Sequence, residues 1–213
     1  MRVSSDVSDY FFSIFDYSIS LLDSLPISLV AQPISYVEEV LEAECQRRRP
    51  LETKRIHALP RAVHYVDADE NRPIGMNTVG ILTDRLTILA MKIWCLRRKH
   101  GKAEVAQGIL DTEVRDVIAA IQQARPGNST VLQKITELET DIHNADWAES
   151  YYGLMTSNLF MWEAQEAMYI NNMADFDSDG VRAFLKWCSY GNLRRNRYIT
   201  SCEVLYWQTN PKT

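Results

Sequence analysis

Helical spacing sets charged residues inside apolar faces at three places in this 213-residue chain. In the segment around 78–98, Ile81, Leu82, Ile88, Leu89, Ile93, Cys95 and Leu96 define a broad apolar face. Arg85 and Lys92, one heptad apart, fall inside that arc, with Asp84 near its edge. Around 152–173 the face holds Tyr152, Met155, Leu159, Trp162, Tyr169, Ile170 and Met173; Glu166 sits in its middle, flanked by Asn158 and Glu163. Around 181–206 it holds Val181, Phe184, Leu185, Cys188, Ile199, Cys202 and Tyr206, with Arg195 and Asn192 within it and Asn196 beside it.

A charge stranded in a core costs on the order of several kcal/mol, so these residues must meet one another, water or a ligand. Two outcomes follow. In one, Glu166 pairs with Arg85 or Arg195 while Lys92 snorkels outward, giving a structural ion-pair network in a non-catalytic interaction or accessory protein. In the other, the three helices enclose a polar pocket. Arg85, Lys92 and Arg195 then outnumber Glu163 and Glu166, and a small anionic ligand, a carboxylate or phosphate, completes the balance. In that pocket Glu166, its pKa raised by burial, and Glu163 are the candidate general acid or base. Asp84, Arg85, Lys92, Asn158, Asn192, Arg195 and Asn196 are the candidate ligand contacts. Whether the protein is an enzyme stays open between the two.

Other patterns carry less chemistry. Asp175-Phe-Asp177-Ser-Asp179-Gly180 starts like a calcium loop, but twelve-residue counting puts Lys186 where a bidentate Glu belongs. An acidic loop at the positive end of the next helix accounts for it better. Glu139 and His143 share a helical face, yet no Glu-x-x-His pair exists for a di-iron bundle, so neither a metal nor another cofactor is expected. The histidines His57, His64, His100 and His143 are scattered, and no Ser/His/Asp or Cys/His set assembles. Cys45, Cys95, Cys188 and Cys202 lie too far apart for zinc pairing and read as reduced, mostly buried thiols of a cytoplasmic protein.

The elements that must position these residues are helices. Eight Gly and seven Pro leave little room for the turns of an all-β fold. The length suits one all-α domain, a bundle of about six to seven helices. Segments are expected at about 5–25, 33–49, 77–100, 102–125 with a break at Gly108, 128–173 with a break near 144–153, and 179–207 with an interruption at Gly191. The stretch 50–76, with Pro50, Pro60 and Pro73, reads as an irregular crossing or lid. A net charge of −5 argues against nucleic acid, and no apolar run is long enough to span a membrane. A homodimer remains compatible with the composition.

Three stretches resemble motifs of bacterial all-helical domains of unknown function. Thr78-Val-Gly-Ile-Leu-Thr-Asp-Arg-Leu-Thr-Ile-Leu-Ala-Met-Lys-Ile-Trp94 is similar to T-x-G-E-L-I-D-K-L-T-I-L-x-x-K. Asn158-Leu-Phe-Met-Trp-Glu-Ala-Gln-Glu166 is similar to N-x-x-L-W-x-x-E-D, and Asn192-Leu-Arg-Arg-Asn-Arg-Tyr-Ile199 to L-N-x-x-R-N-x-x-I. Ile81 stands where the family has Glu, and Gln165-Glu166 where it has Glu-Asp. Together the motifs cover about a quarter of the chain. The resemblance implies an all-helical fold, the positions Asp84, Arg85, Lys92, Asn158, Glu163, Glu166, Arg195 and Asn196, and an accessory role in a bacterial glycan or specialised-metabolite pathway.

Overall fold

The computed structural model describes residues 5–24, 78–124, 146–170 and 178–209. Those residues are helical, with no strand among them. They form five rods. Helix α1 is Ser5–Asp23 and α2 is Val79–Arg98; α3 joins Ala103–Ile109, a π-helical turn Leu110–Val114 and Arg115–Gln122; α4 is Trp147–Ile170 and α5 is Ser178–Thr209. The expected helix at 33–49, the crossing at 50–76 and residues 128–145 of the expected 128–173 segment lie outside the described residues.

Local sequence explains where the rods start and stop. Thr78 caps α2, its hydroxyl accepting from the Ile81 N–H at 3.4 Å. Arg97 and Arg98 occupy the last turn, where the helix dipole favours cations. Gly101 then reverses the chain at φ 63°, a left-handed conformation that suits glycine, while the Lys102 N–H reaches back to the Leu96 carbonyl at 2.7 Å. Asp146 caps α4 through the Glu149 N–H at 2.8 Å, so a helix begins inside the stretch where a break was expected.

Two expected breaks are absent. Gly108 does not interrupt α3, which instead widens into the π turn just after it. Gly191 does not interrupt α5, which runs straight through. A single glycine costs a helix about 1 kcal/mol, too little to end one that packing holds.

Helix α2 touches every other rod, and α4 lies along α5. The main core gathers Phe11, Phe15 and Leu22 of α1, Leu86, Met91 and Ile93 of α2, Ile118 and Ile121 of α3, and Tyr151 of α4. A second, smaller cluster of Leu154, Tyr198, Ile199 and Cys202 fills the α4–α5 contact. Two glycines make these contacts close. A Cβ on Gly80 would sit 2.2 Å from the Ile199 carbonyl oxygen, and one on Gly153 would sit 2.2 Å from the Tyr198 ring. Helices α2 and α4 therefore approach α5 more closely than side chains would permit. No helix among the described residues is long and apolar enough to cross a membrane.

Candidate functional site

The close approach at Gly80 and Gly153 lets polar side chains of α2, α4 and α5 meet below the surface. Gly80, Thr83, Asp84 and Thr87 follow the i, i+3, i+4, i+7 pattern, so one small and polar stripe of α2 faces inward. Asp84 is 4% exposed. Its Oδ1 accepts from Arg195 Nε at 2.9 Å and from Asn158 Nδ2 at 2.7 Å, while Oδ2 accepts from Arg195 Nη2. Asn158 Nδ2 also donates to Thr87 Oγ1 at 2.8 Å, and that hydroxyl donates to the Asp84 carbonyl at 2.8 Å. The side-on fork of Arg195 and the Asn158–Thr87 brace thus lock one buried carboxylate from two neighbouring helices.

A second buried acid lies one turn away along the same seam. Glu203, 2% exposed, accepts from the Gly80 N–H at 2.8 Å and from Trp207 Nε1 at 2.7 Å. The Gly80 N–H belongs to the first turn of α2, where backbone donors have no partner within the helix. Glu203 therefore caps α2 from α5, placing a negative charge at the positive end of its dipole.

These contacts set the local acid–base chemistry. Hydrogen bonds from Arg195 to Asp84 raise the guanidinium pKa above its ordinary value, against the opposing effect of burial; the Asp84 charge adds to the rise. Burial pushes the Cys202 thiol well up, and the charges of Asp84 and Glu203 push it further. Cys202 is consequently a neutral thiol rather than a nucleophile. Tyr206 is pushed up to about 12 by burial and then by Glu203. Among the described residues no group of three or more His, Cys, Asp or Glu is placed to hold a metal ion.

The structure brings Asp84, Asn158 and Arg195 together from the residues expected on sequence grounds. It separates others. Arg85 is 61% exposed at its side chain and faces Glu113 at 3.7 Å across to the π turn of α3, and Lys92 is also exposed. The expectation that both lie inside the apolar face is corrected by the solvent stripe of α2, which runs Ile81, Arg85, Ile88, Lys92 and Leu96. Its three apolar members, Ile81, Ile88 and Leu96, are half-buried and pull the inferred face toward Arg85 and Lys92. Asn192 is exposed and Asn196 half-buried, and Leu185, expected in the apolar face, is exposed. Glu163 and Glu166 lie on α4, and their side chains fall outside what is described, as do His57, His64, His143, Cys45 and the side chain of Cys188.

Glu203, Thr87 and Gly80 were missed. Glu203 shares a face with Ile199, Tyr206 and Trp207, so the rule that picked out Arg195 would also have found it. Thr83 belongs to the same inward stripe; its buried hydroxyl has no hydrogen-bond partner among the described residues. No protein-family model, curated protein or solved structure matches the chain.

Proposed function

We propose that this chain is a non-catalytic, cytoplasmic helical interaction or accessory protein, in which the buried charges serve the fold. One observation supports this reading above others: the Asp84 carboxylate is consumed by Arg195 and Asn158, which belong to two other helices. The other charges agree. With Arg85 and Lys92 in solvent, the buried acids have partners within the fold: Asp84 is held by Arg195 and Asn158, and Glu203 by the Gly80 N–H and Trp207. Two of the three basic residues that argued for an anion within the core, Arg85 and Lys92, thus face solvent. Buried thiols at Cys95 and Cys202 accord with a reducing compartment.

Replacing Asp84 by Leu together with Arg195 by Met tests the reading. A buried ion pair exchanged for apolar groups of similar volume is often neutral or stabilising by about 1–4 kcal/mol. The double variant should keep its helical circular dichroism, its cooperative melt and the wild-type sedimentation profile. A well-folded double variant that loses a cellular phenotype of the wild-type gene would sink the structural reading.

One observation favours a second reading, the small anionic ligand with Glu166 and Glu163 as acid and base. Arg195 spends only one edge of its guanidinium on Asp84, and its side chain is 26% exposed.

A further inference from the structure

We propose that the outer edge of the Arg195 guanidinium is an oxyanion-binding site for a small monocarboxylate; the inference rests on the second reading above and narrows its ligand class. A guanidinium carries five N–H donors in a fixed plane. Asp84 takes two of them, the Nε–H and one Nη2–H. The remaining three are the other Nη2–H and the two Nη1–H. None of them has an acceptor among the described residues, and the side chain is a quarter exposed, so this edge is the outward one.

What distinguishes Arg195 from an ordinary surface arginine is that its orientation is already set. Asp84 grips it side-on, Asn158 grips Asp84, and Thr87 grips Asn158. A mobile arginine loses side-chain entropy when it binds an anion, whereas this one has lost much of it in folding. The free Nη1 and Nη2 donors form an end-on fork matched to the two oxygens of a carboxylate. Asn192, exposed and three residues before Arg195 on α5, stands at the helical spacing from which a side chain can reach that fork.

Charge selects the class of oxyanion. Asp84 neutralises Arg195, and a second buried acid, Glu203, lies one turn away along the same seam. Arg194 and Arg197, on the same turns of α5, are engaged with partners of their own. A dianion such as phosphate would meet more repulsion here than a single carboxylate.

Titrating the full chain with sodium acetate or sodium phosphate, against sodium chloride at equal ionic strength and pH 7, tests the site. The readout is the side-chain Nε–H resonance of each arginine. Acetate should move the Arg195 signal along a saturating curve, with phosphate binding more weakly. Asn192→Asp leaves the Asp84 pair untouched, so it should weaken acetate binding about tenfold while keeping the melting temperature in chloride. Arg195→Lys, which keeps the charge and loses the fork, is read by thermal melts instead: acetate should raise the melting temperature of the wild type over that in chloride and leave that of Arg195→Lys unmoved. An Arg195 signal that drifts linearly with salt, as that of exposed Arg85 should, overturns the proposal. Equal binding by Asn192→Asp, or tighter binding of phosphate than of acetate, overturns it as well. The pairing itself is read separately: an Arg195→Lys variant as stable in chloride as the wild type would show that Asp84 does not hold the fork.

Discussion

The polar seam of α2, α4 and α5 and the aromatic cluster of α1, α4 and α5 are both buried, yet they hold the bundle in different ways. In the cluster, Phe11 meets Trp147 edge-on at 5.7 Å, Trp147 stacks on Tyr151 at 5.4 Å, and Phe11 reaches Tyr206 at 6.4 Å. Such contacts gain from area and tolerate small shifts. The seam gains from direction: Asp84 is satisfied only while α4 and α5 present Asn158 and Arg195 at hydrogen-bond distance. The cluster thus supplies most of the cohesion, and the seam sets the register in which the helices cohere. One hydrogen bond links the modes within the cluster. Ser18 donates to the Ile14 carbonyl at 2.8 Å, so the Tyr151 hydroxyl must be the donor in its 2.5 Å contact with Ser18.

The largest predicted effect is on the cluster. Phe11→Ala should cost about 4 kcal/mol in urea denaturation, because it empties a fully buried aromatic position. A loss under about 1 kcal/mol would break the claim that this region carries the cohesion.

The close approaches come next. Gly80→Ala should cost about 3 kcal/mol, since its methyl meets backbone and must push α2 off α5, disturbing the Glu203 cap as well. Gly153→Ala should cost about half as much, because its methyl meets the far end of the Tyr198 ring, which has a side chain to move. Reversal of that order in thermal melts would show that backbone contact does not set the α2–α5 spacing.

The alkaline limb gives a smaller and graded test. Burial raises the pKa values of Tyr10, Tyr151 and Cys202 above their ordinary range and that of Tyr206 to about 12. Each folded-state pKa lies above its unfolded value, so their contribution is complete below the unfolded values and is lost as pH rises through the folded ones. The unfolded chain binds fewer protons there, and stability should fall from about pH 9 to 12. Tyr151→Phe should cost about 1 kcal/mol at pH 7 through the lost bond to Ser18, and should make that alkaline fall shallower. An unchanged slope would mean that the hydroxyl ionises as freely in the folded chain.

Much of this fold is legible in the sequence, because long helices advertise their period. Spacing points to Phe11, Phe12, Ile14, Phe15, Ile19 and Leu22 on α1, of which Phe11, Ile14, Phe15 and Leu22 are buried and Phe12 is exposed. Capping points to Asn77 or Thr78 on α2, where Thr78 is the cap. The site is only half legible. Asp84, Asn158 and Arg195 stand out as polar residues near apolar faces, but spacing gives an angle around a helix and not the position of its neighbours. Helix α2 is packed on most sides, so its apolar residues extend onto the solvent stripe at Ile81, Ile88 and Leu96 and pull the inferred face toward Arg85 and Lys92. The partner of a buried charge is a tertiary fact: 74 residues separate Asn158 from Asp84, and 111 separate Arg195 from it.

The most direct test of a structural seam is a double-mutant cycle between Asp84 and Arg195, with stability measured in urea at pH 7. Asp84→Ala strands the half-buried Arg195 and should cost about 3 kcal/mol; Arg195→Ala strands the buried carboxylate and should cost at least as much. The double variant should cost about 2 kcal/mol less than the sum of the singles. Strictly additive losses would contradict the account, because they would mean that Asp84 and Arg195 do not depend on each other for their place in the core.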